Sequence, residues 1–279
     1  MAETLSCFKP TQNYLICVDS DGCAMDTMDI KHFRCFGPCM VKEWNLEPWA
    51  KPILQRWNQI NLYTMTRGIN RFKGLALALR EINQRYTAID GILDLEAWVD
   101  TAPELSNAAL EQKIQSGKCP IFHKALRWSQ AVNAAINALP EDTKKPFPGA
   151  AEGLAAAHEF ADVAVVSSAN REAVLEEWAR WNLLDQVDVL CCQDSGSKAH
   201  CIAMLKEKGY SPDHILMVGD APGDKAAAER NGVYYYPILV RHEAESWKEF
   251  RDTALEAFRT QYKAYGDKKA RAFLENLNS

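Results

Sequence analysis

YLICVDSDGCAMDTM, residues 14–28, runs from an unbroken apolar segment straight into two carboxylates, Asp19 and Asp21, one residue apart. Five apolar residues in a row, followed by small and polar ones, fit a strand buried on both faces of a parallel sheet. Ending such a strand in two acids carries a penalty: at about 4 Å and an effective dielectric near ~20, two like charges repel by roughly 4 kcal/mol. Either one carboxyl stays protonated or a cation that prefers oxygen ligands offsets the repulsion.

Working outward, two further apolar runs share this character, at residues 163–166 and 215–218, and weaker strand patterns lie at 187–191 and 233–240. Helical patterns follow or precede them at 171–184, 199–208 and 226–231, the last two closing at Gly209 and Gly232. Alternation of strand and helix from about residue 148 predicts a doubly wound α/β unit with a mostly parallel sheet, whose active site lies at the carboxyl ends of the strands. The first strand stands apart, because the next 120 or so residues read mainly as helix, as in NLYTMTRGINRFKGLALALREI and SQAVNAAINAL. EDTKKPFPGA, residues 141–150, then marks a linker by its charge, two prolines and glycine. The expected organisation is an α/β core of residues 1–22 and 147–279 with an inserted helical domain of residues 23–146, and two amphipathic helices after Glu243.

Bulk properties narrow the function classes. A chain of 279 residues, 47% hydrophobic and 25% charged, reads as an ordinary globular protein. A net charge of -5 gives no basic footprint for nucleic acid. MAETLSCFKPTQN has no apolar core of signal-peptide length, and no run reaches the roughly 18 apolar residues of a membrane span. The expectation is a cytoplasmic protein with no nucleic-acid or membrane partner. Nine cysteines, an odd number, read as reduced thiols; Cys35 and Cys39, and the adjacent Cys191 and Cys192, lack a second ligand pair at zinc-site spacing.

Each strand end has an ordinary explanation. Asp19 and Asp21 could be solvated turn carboxylates, and a calcium loop is disfavoured by Cys23 and Ala24 at its fifth and sixth positions. Ser167-Ser168-Ala169-Asn170 could cap a helix, though a helix N-terminus with hydroxyls is also an anion site. Gly219-Asp220-Ala221-Pro222-Gly223-Asp224 leads into a helix that Pro222 and Asp224 suit. Lys198 opens a helix, where a cation opposes the macrodipole unless an anion lies near. Together the four segments point elsewhere: all fall at the mouth of one expected sheet, and three strand-end acids converging there call for a divalent cation.

In this order, D-x-D-G, serine, lysine and G-D-x-x-x-D, the sequence resembles the haloacid dehalogenase-like hydrolase superfamily, over the whole α/β core. PFPGAAEGLAAA before VAVVSSAN is similar to the approach to the family's second motif, and the insertion falls where its helical cap domain does. The resemblance implies Asp19 as nucleophile and Asp21 as general acid and base. It implies Ser167, Ser168 and Lys198 as holders of the phosphoryl oxygens. It further implies Mg2+ bound by Asp19, the Asp21 backbone carbonyl and Asp220, with Asp224 as a further ligand or acting through water. The implied activity is phosphate removal from a small phosphorylated metabolite through an aspartyl-phosphate. A phosphomutase, or a weakly active regulatory or binding protein that keeps the fold, remains open. The chain departs from many helical-cap members in having Ala199-His200 after its lysine.

One further expectation concerns specificity. Read as one helix, residues 62–79 place Leu62, Met65, Ile69, Phe72, Ala76 and Leu79 on an apolar stripe, with Thr64, Arg67 and Arg71 opposite. Arg67 and Arg71 would then form an anion clamp for the substrate, or else decorate a solvated surface.

Overall fold

The computed structural model describes residues 3–117 and 119–278; Met1 and Ala2, part of the leader-segment reading, lie outside. The chain divides into two units, Met1–Met28 with Glu141–Ser279, and Asp29–Pro140.

The first unit is built on a parallel six-stranded sheet of β1 (Glu3–Thr4), β2 (Tyr14–Val18), β5 (Ala161–Val166), β6 (Val189–Cys191), β7 (Ile215–Gly219) and β8 (Tyr234–Pro237). Between β2 and β5 in the chain come β3 (Met25–Asp26) and β4 (Lys145–Pro146), which form a separate antiparallel ribbon. The order in the main sheet is β1-β6-β5-β2-β7-β8. The chain winds outward from β2 through β5 and β6 on one side, then returns to β7 and β8 on the other. This doubly wound topology places a switch point beside β2, where the carboxyl ends of strands open onto a crevice. Val18 is level with Val165 of β5 and Val218 of β7, so the residues just beyond those strands arrive at one edge.

Burial explains the composition of these strands. Every residue of β5 and β7 is buried, as are four of five in β2, and YLICV, ADVAVV and ILMVG are apolar because both faces of the sheet are covered. Asp162 is the polar exception, and its carboxylate accepts hydrogen bonds from Thr11 N and Gln12 N at 3.0 Å, Thr11 Oγ1 at 2.5 Å and the Tyr210 hydroxyl. A buried acid with four donors has its lone pairs satisfied.

The strand pattern read from the sequence is present, with differences at the ends. The helix expected over residues 171–184 stops at Arg180, and a short 3-10 turn, Leu183–Gln186, follows. Asn182, at φ 56°, breaks the α-helical run. The β1 strand was not expected; two residues are too short for a periodic signal. The sequence boundaries of 22/23 and 146/147 differ from the division at 28/29 and 140/141, because β3 pairs with β4 and Phe147 N donates to Ala24 O at 2.9 Å. That ribbon ties both crossing segments to the sheet unit.

The second unit contains no strand among the described residues. Its helices include Ala50–Leu62, Arg71–Arg85, Ile92–Thr101 and Pro120–Asn137. They enclose an aromatic core in which Trp57 meets Trp128 edge to face at 6.0 Å and Phe72 meets Trp98 at 5.4 Å. No helix among the described residues is long and apolar enough to cross a membrane.

Candidate active site

The loop after β2 is folded back tightly. Asp19 N donates to Val218 O at 3.0 Å, extending the β2 pairing with β7 by one residue. Gly22 takes φ 81°, open to glycine at no steric cost, and its N–H reaches Met25 O at 2.8 Å while Met25 N reaches Ser20 O at 2.8 Å. Asp19 is therefore fixed at the strand end, 5% exposed. Asp21 is half-buried and its Oδ1 accepts from the buried Thr27 hydroxyl.

Beyond β7, Asp220 and Asp224 are both buried, and the helix Pro222–Asn231 begins between them. Asp224 Oδ2 accepts from Ala221 N at 3.0 Å, closing the first turn. Lys198, first residue of the helix Lys198–Lys206, projects its ammonium between two acids, with Nζ 2.8 Å from Asp19 Oδ2 and 2.5 Å from Asp224 Oδ1. The lysine misplaced at a helix N-terminus thus has its anions. Burial disfavours its charge, yet the Asp19 and Asp224 carboxylates outweigh that and raise its pKa. Burial raises the Asp19 pKa, aided by Asp224 and Asp220 and opposed by Lys198.

The structure brings together four of the expected residues. Carboxylate oxygens of Asp19, Asp220 and Asp224 lie within 4.8 Å of one another. Three buried acids beside one ammonium form an all-oxygen donor set that fits a hard divalent cation such as Mg2+. The Asp21 carboxyl is not in that cluster.

The serines behave differently from each other. Ser167 is buried, its N–H donating to Cys191 O at 2.9 Å and its Oγ accepting from Ala169 N at 3.2 Å, while Ser168 is exposed. The capping of the helix Arg171–Arg180 falls to Asn170, whose Oδ1 accepts from Glu172 N at 2.9 Å. That bond uses the Ser167 hydroxyl as an acceptor only.

Residues 62–79 do not form one helix. One helix ends at Leu62 and the next starts at Arg71, capped by Asn70, which accepts from Phe72 N at 2.9 Å. Between them Thr64 Oγ1 bonds Gln59 O at 3.1 Å, Thr66 Oγ1 bonds Ile60 O at 2.5 Å, and Gly68 takes φ 69°. Side-chain hydroxyls here take up the carbonyls at the helix end, the Thr64 hydroxyl alongside Tyr63 N at Gln59 O. Met65 is accordingly exposed rather than on an apolar stripe. Arg67 and Arg71 therefore do not share one helical face. Arg67 is buried, with Nη1 on Leu62 O at 2.8 Å. Arg71 Nη1 bonds Asn133 Oδ1 at 2.7 Å and Ser129 Oγ at 3.0 Å.

Sequence reasoning missed the partners that hold the loop. Thr27 on Asp21 and the Trp178 indole on Ser20 Oγ, at 2.9 Å, carry no local signal, and the second pairing spans 158 residues.

The doubly wound sheet thus gathers three acids and a lysine at its switch point, in the arrangement expected of a haloacid dehalogenase-like hydrolase. Residues 101–237, just under half of the chain, match the model of the haloacid dehalogenase-like hydrolases. No curated protein matches the chain. Among solved structures it is similar to a haloacid dehalogenase-like family hydrolase from Streptococcus pneumoniae, at 11% identity and TM-score 0.48, covering 86% of this chain and 92% of that one. A candidate β-phosphoglucomutase from Thermotoga maritima is similar at 14% identity and TM-score 0.48, covering 80% and 84%. The L-2-haloacid dehalogenase from Xanthobacter autotrophicus is similar at 16% identity and TM-score 0.41, covering 81% and 77%.

Proposed function

We propose that this hydrolase is a magnesium-dependent phosphatase of a small phosphorylated metabolite. The observation that carries the reading is Lys198 Nζ set between Asp19 and Asp224 at the carboxyl edge of the sheet, beside Asp220. Asp19 Oδ attacks phosphorus, an Asp19 O–P bond forms and the ester P–O bond breaks. Asp21 gives its proton to the leaving oxygen, with the Thr27 hydroxyl on Oδ1 orienting the carboxyl. Water then attacks phosphorus and Asp21 takes its proton; the Asp19 O–P bond breaks, which frees the Asp19 carboxylate and orthophosphate. Lys198 and Ser167 hold the phosphoryl oxygens. Mg2+, when bound by Asp19, Asp220, Asp224 and the Asp21 carbonyl, would offset the charge between carboxylate and phosphate. Arg67 and Arg71 are left out of the substrate contacts, because acceptors of their own unit hold both guanidiniums. The nine free thiols accord with a cytoplasmic setting.

The test is orthophosphate release from a panel of phosphorylated metabolites, with Mg2+ and after chelation. Release from at least one metabolite, abolished by chelation, is expected. Phosphoryl migration without net release would instead favour a phosphomutase, and no reaction with any ester would contradict both.

A further inference from the structure

Ser20 separates the two aspartates and is wholly buried. Its main-chain carbonyl closes the loop by accepting from Met25 N at 2.8 Å, and its Oγ accepts from Trp178 Nε1 at 2.9 Å. Trp178 is itself fully buried in the helix Arg171–Arg180, which starts just after Ser167 and is packed into the core of the sheet unit. A second buried indole, Trp247, holds the other end of the loop, with Nε1 on Cys23 O at 2.9 Å. The Cys23 thiol reaches Val218 O at 3.6 Å. The loop that presents both aspartates is thus held by two large, fully buried side chains. Trp247 holds a backbone carbonyl, which any residue at 23 would offer. Trp178 holds a hydroxyl that only the side chain between the two acids supplies.

We infer that Trp178 is a positioning residue for this site: through Ser20 Oγ its indole N–H sets where Asp19 and Asp21 stand relative to Lys198 and Asp220. The inference rests on the phosphatase reading for its kinetic consequences, and on the aspartate cluster alone for its effect on Mg2+. Buried indole and hydroxyl groups that lose their partner are left unsatisfied in a dry core, so the loop relaxes to find another. Positions of catalytic groups tolerate shifts well under 1 Å before rate is lost.

The experiment compares Trp178→Phe, Ser20→Ala, the double variant and Ser20→Cys, the last keeping a weak acceptor of similar size. Measured are kcat and KM on the best ester, the melting temperature, and Mg2+ affinity by calorimetry without substrate. Expected is a fall in kcat of about tenfold in each of the first two with KM nearly unchanged, and no further fall in the double variant, since both remove one bond. Mg2+ should bind severalfold more weakly, and Ser20→Cys should lie between Ser20→Ala and wild type. A lower melting temperature with wild-type kcat, KM and Mg2+ affinity would reduce the indole to packing and overturn the inference. Should the wild type bind Mg2+ but hydrolyse no ester, the phosphatase reading fails by itself. The Mg2+ affinity of Ser20→Ala then decides the inference: weakened supports it, unchanged overturns it. A wild type that binds no Mg2+ and hydrolyses no ester overturns both.

Discussion

Gly219 and Asp224 stand so close that a Cβ on residue 219 would meet the Asp224 carboxyl at 2.4 Å. Asp224 cannot yield, being fully buried and held by Lys198 and Ala221 N. Glycine is required here for the approach of a side chain rather than for an unusual backbone angle. Gly219→Ala is expected to destabilise the protein by about 1–3 kcal/mol, as overpacking does, and to abolish phosphate release by displacing Asp224. Thermal melting and an activity assay check it; a variant with wild-type stability and rate would mean that the loop accommodates the methyl group.

Lys198→Met removes the one ammonium from a cluster of three buried acids. Breaking such a pair costs about 3 kcal/mol or more, so the melting temperature in chelator should fall by several degrees. Mg2+ should raise it by more than it raises the wild type, because the vacated charge increases the demand for a cation. An unchanged melting temperature in chelator would show that the acids are neutral without their lysine.

Arg67→Ala strips a buried donor from the Leu62 carbonyl, so a loss of about 1–3 kcal/mol of stability is expected. Arg71→Ala loses contacts with Asn133 and Ser129, and its place 5.1 Å over the Phe36 ring. For folded protein, KM on the best metabolite should change by less than about threefold in both, below the 1.4 kcal/mol of a tenfold effect. A tenfold rise in KM confined to the physiological ester, with stability intact, would restore the anion clamp.

Asp162→Ala leaves Thr11 N, Gln12 N, Thr11 Oγ1 and the Tyr210 hydroxyl without their shared acceptor. Unfolding free energy should drop by about 3 kcal/mol or more. Denaturant melts measure this, with Tyr210→Phe expected to cost distinctly less because it removes one donor and keeps the carboxylate bonded to the main chain.

The sequence carried the parts of this site that depend on strand ends. Asp19, Ser167 and Asp220 each follow an apolar run whose burial on both faces forces its polarity to change abruptly at the sheet edge, and that change is visible in one dimension. Lys198 was legible through its awkward place at a helix start. What stayed hidden depends on contacts between distant segments. Nothing around Trp178 says that its N–H meets Ser20, and nothing around Thr27 says that its hydroxyl turns to Asp21. The misreading of residues 62–79 has a local cause: the apolar spacing is helical, but Thr64, Thr66 and Asn70 bond the backbone themselves and divide the stretch into two helices.

The central claim is that Asp19 takes the phosphoryl group. It is tested most directly by mixing the protein with its best ester and Mg2+, quenching in acid within the first turnover, and weighing the intact chain and its Asp19-containing peptide. The account predicts a mass increase of one phosphoryl group on that peptide, labile to hydroxylamine. Asp19→Asn, folded by circular dichroism, should show no such increase and no turnover. Undiminished phosphate release by Asp19→Asn, or a phosphoryl group on another residue, would contradict it.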